Sequence, residues 1–259
     1  MKNNLRYFLF FIIVSFYIIE NVKAYEPFIF DVTEIEILEN GNQVNGYKGG
    51  TAISEDGSKI FAEKFFYNKL SNILEVIGNV KYIDETKDIV ITANKAIYLK
   101  NQEKIFAIGD AKAVNNNNTI TASNLNYDKI KNIFEAKKNV VVKDFEKGAT
   151  IYSDKITYLK DDEKFFAAGN SKAENDSNTI TASILEYDKI NNIFKAKKDA
   201  VVNDFEKDAT IYADEITYFK NDEKIFTKGK TKALIQNKYK FNSENVSYYR
   251  NLGDLISQK

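Results

Sequence analysis

The sequence predicts an all-β fold of stacked antiparallel strands, built from about seven two-stranded repeats. Three observations predict it. Apolar residues recur at a spacing of two, and no window carries a helical i, i+3, i+4, i+7 stripe. Residues 119–173 align without a gap with residues 179–233, about 38 of the 55 pairs being identical. A tyrosine marks each half of that 60-residue period, at Tyr67, Tyr98, Tyr127, Tyr158, Tyr187, Tyr218 and Tyr248, with gaps of 31, 29, 31, 29, 31 and 30 residues. Such units stack to bury a shared core.

The first segment stands outside the stack. Lys2 and Arg6 form a positive n-region, Tyr7 to Ile19 is an apolar run, and Val22-Lys23-Ala24 offers a small-residue cleavage site. This is the secretory pattern, so residues 1–24 are read as a signal peptide cleaved after Ala24. An uncleaved anchor would need an apolar run of about 20 residues. The mature region, 25–259, is therefore expected beyond the cytoplasmic membrane. Residues 25–58 read as a degenerate first unit, in which Phe28, Phe30 and Val32 alternate, then Ile35 and Ile37. A glycine-rich YKGGT leads into the regular array.

Each regular unit reads strand, turn, strand, turn. Counting from its tyrosine, positions −7, −5 and −2 are apolar or small. They read Ile91/Ala93/Ala96, Ile120/Ala122/Leu125, Ile151/Ser153/Ile156 and Ile180/Ala182/Leu185 in the middle units. The step of three between −5 and −2 switches parity, and one extra residue in a β-bulge would restore the facing. A polar turn such as DKIKN or LKDDEK follows the tyrosine. Alternation resumes at +7 and +9 as Phe134/Ala136, Phe165/Ala167 and Phe194/Ala196, and continues at +13 and +15. Position +11, nearly alternating Gly and Lys, is expected mid-strand on the same inner side.

Composition excludes several function classes. Lys+Arg and Asp+Glu balance at 37 each and are interspersed, which reads as solvated faces and turns and gives nucleic acid no basic field to bind. Cys and His are absent, which removes disulfides, the usual zinc and copper ligands and most nucleophile–base pairs. Acidic residues such as Asp154, Asp162 and Glu163 recur at turn or bulge positions instead of clustering, so no enzyme site, metal or cofactor is expected. The inner set mixes Ile, Val, Phe and Leu with much Ala, Ser and Thr. It fits either a plain packed core or two sheets with an apolar slot between them, able to hold acyl chains.

The recurring I-x-A-x-x-[LIV]-x-Y followed by [IF]-[FA]-x-x-G-x-[VA], behind a signal peptide, resembles the OstA-like repeat. Good matches are ITANKAIYLKNQEKIFAIGDAKA, IYSDKITYLKDDEKFFAAGNSKA and FAEKFFYNKLSNILEVIGNV. The likeness covers roughly residues 28–259. That repeat occurs in lipopolysaccharide-transport proteins of the LptA type and in the periplasmic N-terminal part of LptD. The resemblance implies a twisted β-jellyroll in the periplasm, possible outer-membrane association included. It implies lipopolysaccharide as ligand and neighbouring transport-pathway jellyrolls joined by edge-strand addition, with outer-membrane assembly partners if the protein is LptD-like. The implied lipid groove is lined by Ile91, Ala93, Ile120, Ala122, Leu125, Phe134, Ala136, Ile151, Ile156, Phe165, Ala167, Ile180, Ala182, Leu185, Phe194 and Ala196. The chain has no cysteines to link such a region to a barrel, and no barrel-like region follows. Lys259 falls mid-unit, which reads as truncation before a C-terminal barrel or as a stand-alone protein with a frayed end. The competing reading is a non-lipid structural β-solenoid or adhesin-like repeat with a packed core.

Overall fold

The computed structural model describes residues 27–115 and 118–258. Residues 1–24, expected from the sequence to be a signal peptide, and Lys259 lie outside the described residues. Alternating apolar residues rich in Ile, Val, Thr, Phe and Tyr favour strands, and the polar turns cut them into lengths of about 11 residues. The first are β1 (Phe28–Leu38), β2 (Gln43–Ser54), β3 (Lys59–Ala62), β4 (Lys64–Asn68), β5 (Ile73–Asp84), β6 (Ile89–Leu99) and β7 (Lys104–Asn115). The near-identical repeats supply β8 (Asn118–Asp128), β9 (Ile133–Asp144), β10 (Ala149–Leu159), β11 (Lys164–Glu174), β12 (Asn178–Asp188), β13 (Ile193–Asp204) and β14 (Ala209–Phe219). The array ends with β15 (Lys224–Lys228), β16 (Thr231–Ile235), β17 (Tyr239–Ser243), β18 (Asn245–Tyr249) and β19 (Asp254–Gln258). Each strand pairs antiparallel with its chain neighbours. The pairs β3/β4, β15/β16 and β17/β18 are the two halves of single bent strands.

The bend lies where the parity switches. Pairing skips from Thr121 to Asn124 in β8 and from Ser153 to Lys155 in β10. Its counterpart in the other strand of each unit is at +11 and +12, which differs from the inward mid-strand placement expected there. Both residues adopt left-handed φ: 67° and 53° at Lys138 and Asn139, 83° and 45° at Gly169 and Asn170. These two oppose the single −4 residue of the adjacent strand, which makes a bulge and turns the strand.

The same geometry explains the Gly/Lys alternation. A Cβ on Gly169 would lie 2.6 Å from Asp154 Oδ2 and 3.1 Å from its Cβ, because the −4 side chain of the preceding strand leans across. Asn170 Nδ2 holds that carboxylate by donating to it over 2.8 Å. In the first six units glycine stands at +11 where the −4 residue is long, after Glu63, Asn94, Asp154 and Asp214, while the seventh departs, with Lys259 after Glu244. Lysine stands there where it is short, after Ser123 and Ser183.

Because the strands bend along one line, the sheet folds over and faces itself, as a β-jellyroll does. The first layer carries −7, −5, +13 and +15. The second carries −2, the tyrosine, +7 and +9. Their contact is direct: Asn115 and Asn118, on the first layer, both donate to the Tyr158 hydroxyl on the second. One continuous apolar cluster fills the space between them, from Phe28 to Tyr248.

Candidate functional site

All sixteen predicted groove residues line this interior. Ile91, Ala93, Ile120, Ala122, Ile151, Ile180 and Ala182 project from the first layer. Leu125, Phe134, Ala136, Ile156, Phe165, Ala167, Leu185, Phe194 and Ala196 project from the second. Ala136 and Ala196 are wholly buried, and the most accessible of the set, Ala182, is 8% exposed. The interior is closed to water by the protein's own side chains.

The seven tyrosines that mark the units, absent from the predicted lining, are all buried as well. They alternate across the sheet with the +7 residues. Tyr127, Phe134, Tyr158, Phe165, Tyr187 and Phe194 stack in a continuous ladder, the close pairs 4.1–4.4 Å between ring centroids. The hydroxyls of Tyr67, Tyr98, Tyr127, Tyr158, Tyr187 and Tyr218 reach polar residues at the rim. Tyr67 donates to Asn72 at 2.7 Å, Tyr127 to Asn132 at 3.1 Å and Tyr158 to Glu163 at 2.9 Å. Burial pushes Tyr127, Tyr158 and Tyr187 above the ordinary phenol range, with nearby carboxylates adding to the shift.

That rim is the mouth between the layers. Its second-layer lip consists of the turns after the tyrosines, such as 129–132 and 189–192. The backbone N–H at +2 donates to the +5 carbonyl of the preceding unit, as from Lys129 to Glu103, Lys189 to Glu163 and Arg250 to Glu223. The first-layer lip consists of turns such as 145–148 and 205–208, stitched in the same manner by Phe205 to Ser177. Among the described residues, the backbone bonds outside the strand ladders join neighbouring turns or close single turns. Hydrogen bonds that cross the mouth use side chains.

Besides Asn115, Asn118 and Lys87, which donates to the Lys129 carbonyl, the crossing groups include the cations Lys129, Lys189, Lys220 and Arg250. These four occupy +2, a position basic in every unit: Lys69, Lys100, Lys129, Lys160, Lys189, Lys220 and Arg250. Three are buried, contrary to the reading of the turn charges as solvated: Lys129 at 4%, Lys189 at 7% and Arg250 at 5% exposure. Lys129 binds Asp56 across the mouth, Tyr98 at 3.0 Å and Glu103 at 3.3 Å. Lys189 lies 3.5 Å from Asp144 and 3.3 Å from Glu146 across the mouth, and 3.6 Å from Glu163 beside it. Arg250 reaches Asp204 through Nε at 2.6 Å and through Nη2 at 3.2 Å, and Tyr218 at 3.0 Å. Burial works to lower the Lys189 pKa, but its three carboxylates raise it overall. Lys220 is different. It donates to the Lys147 carbonyl at 2.9 Å, has no carboxylate within ion-pair distance among the described residues, and burial lowers its pKa. The recurrence at +2 is visible in the sequence; its partners across the mouth, 43 to 73 residues away, are not.

At β1 the interior is open. Ile35 and Ile37 pair with Gly46 and Val44 and so share their inner face, yet they are 52% and 62% exposed. Among the described residues no group of His, Cys, Asp or Glu could hold a metal, and no helix is long and apolar enough to cross a membrane.

Residues 29–139 match the family model of OstA-like proteins. No curated protein matches the chain. Among solved structures, LptH of Pseudomonas aeruginosa, the LptA-homologous periplasmic component of a lipopolysaccharide transport device, is similar at 17% identity. That match covers 44% of this chain and 85% of LptH, with a TM-score of 0.41.

Proposed function

We propose, from the premise that residues 29–139 are OstA-like, that this protein is a periplasmic lipopolysaccharide-binding component of a transport bridge. Acyl chains lie between the two layers, in contact with the sixteen inner residues, and pass along the stack toward the outer membrane. The observation that carries this reading is the seam. Among the described residues side chains tie the lips together, so the layers can part at the mouth while the strand ladders stay intact. Alanine at −5 and +9 leaves the middle of the interior lined by small side chains, which move little when chains enter. The open inner face at Ile35 and Ile37 lies on an edge strand, where another jellyroll can add by strand pairing and continue the interior. The packed interior favours a second reading, a structural repeat without lipid.

A photocrosslinking amino acid at Phe165 or Ala136, with exposed Lys137 as the control, separates the two on the mature chain in the presence of lipopolysaccharide. Adducts at the inner positions and none at Lys137 are expected. No adduct at any position, with the β-sheet circular dichroism unchanged, gives the structural reading the lead.

A further inference from the structure

The cations of the mouth, three buried and Lys220 half-buried, have a use beyond holding it shut. We propose that Lys129, Lys189, Lys220 and Arg250 form a row of anion subsites for a phosphorylated amphiphile, whose phosphate replaces the carboxylates of the opposite lip as the layers part. The inference rests on the reading of the interior as an acyl-chain slot.

Three observations carry it. Position first: each cation sits at the rim, directly outside the tyrosine that ends the apolar interior. A headgroup attached to chains in that interior would emerge there.

Charge is the second. One lip presents a base at +2 in every unit, while the other presents Asp144 and Glu146, then Asp204 and Glu206. When the lips separate, Arg250 loses both of its carboxylates, and Lys189 keeps only Glu163 of its own lip. A low-exposure cation without a counter-anion is costly, so the open state needs an anion from elsewhere. Lys220 has that deficit already in the closed state, since its acceptor among the described residues is the Lys147 carbonyl.

Surroundings are the third. Exposed apolar side chains flank the ion pairs on both lips. Phe145, 68% exposed, stands between Asp144 and Glu146, and Ile190, 66% exposed, follows Lys189. Phe205, 61% exposed, likewise stands between Asp204 and Glu206, which bind Arg250. Free phosphate gains nothing from such neighbours; an amphiphile does. The repeat sets the spacing: Lys129 and Lys189 follow β8 and β12, four strands apart, or about 19 Å at the usual interstrand distance.

The test uses the mature chain and four probes: diphosphorylated lipid A, the same lipid with its phosphates removed, the neutral dye N-phenyl-1-naphthylamine, and inorganic phosphate. The phosphorylated lipid should bind about tenfold or more tighter than the dephosphorylated one, about 1.4 kcal/mol for each factor of ten. Lys220→Gln, which breaks no ion pair, should reduce that ratio, and combining it with Lys189→Gln should reduce it further. Asp144→Asn, which removes a competing carboxylate but keeps an oxygen for its turn, should raise it. Millimolar inorganic phosphate should leave lipid binding unchanged.

Equal affinity for the two lipids, with dye uptake intact, overturns the anion row and leaves the slot standing. Full competition by inorganic phosphate overturns the amphiphile. Failure of all hydrophobic probes to bind instead overturns the slot itself.

Discussion

The central units and the N-terminal edge are written in the same alternation but present opposite inner faces. In β8–β13 every inner residue is covered by the opposite layer, and ion pairs seal the rim. In β1, Phe28 is buried and Phe30 and Val32 pack against the core, but Ile35 and Ile37 on the same face stand in water. Alternation sets which way a side chain points; a facing layer decides whether it is buried. The stack is thus a closed tube in its middle and an open apolar surface at β1, as expected of stacked repeats whose units contact only their neighbours.

Alkaline titration should strain the closed region most. Seven buried tyrosines take part, and Tyr82, Tyr98, Tyr127, Tyr158, Tyr187, Tyr218 and Tyr248 all have raised folded-state pKa values. In the unfolded chain they ionise near pH 10. The folded state therefore keeps protons that the unfolded state releases. Their contribution is complete below about pH 10 and is lost as pH rises through the folded values. Each such tyrosine contributes a slope of about 1.4 kcal/mol per pH unit in that window. Urea midpoints at pH 9 and pH 11 should fall far apart. Equal midpoints would mean that the phenols are hydrated, and the ladder would not be the closed interior described.

Single truncations should sharpen the contrast. Tyr158→Ala removes a ring stacked 4.1 Å from Phe165 and leaves the rim amides of Asn115 and Asn118 without their acceptor. A loss of about 3–5 kcal/mol is expected. Ile37→Ala, on the same face at the open edge, should stay within about 0.5 kcal/mol. Comparable losses at both sites would show that something covers β1 in solution.

Much of this was legible in the residues. Period two gave the strands, and the step of three between Ala122 and Leu125 or Ser153 and Ile156 located the bend, because both are local effects of backbone pleat and pairing. Three features were not legible. Gly169 and Lys138 fitted the strand alternation, so the pair of left-handed residues at +11 and +12 went unseen. Lys189 looked like any turn lysine, because its partners Asp144 and Glu146 approach only after the sheet has folded over. Ile35 and Ile37 looked like core, because alternation carries no information about where a stack stops being covered.

The smallest effect tests the corner. Gly169 has φ 83° and lies against Asp154, so Gly169→Ala meets both a left-handed backbone cost and a collision. The backbone cost is about 1–2 kcal/mol, and the displaced carboxylate adds to it. Asp154→Ser removes the leaning side chain and recreates the pairing found at Ser123 and Lys138, where a side chain is tolerated at φ 67°. In the double variant the backbone cost should remain while the collision vanishes, so the two substitutions should be less than additive. Lys138→Gly should change stability little and in the favourable direction, since glycine takes that φ freely. Strict additivity at Gly169 and Asp154 would show that the −4 side chain does not select the +11 residue, and the alternation along the corner would need another cause.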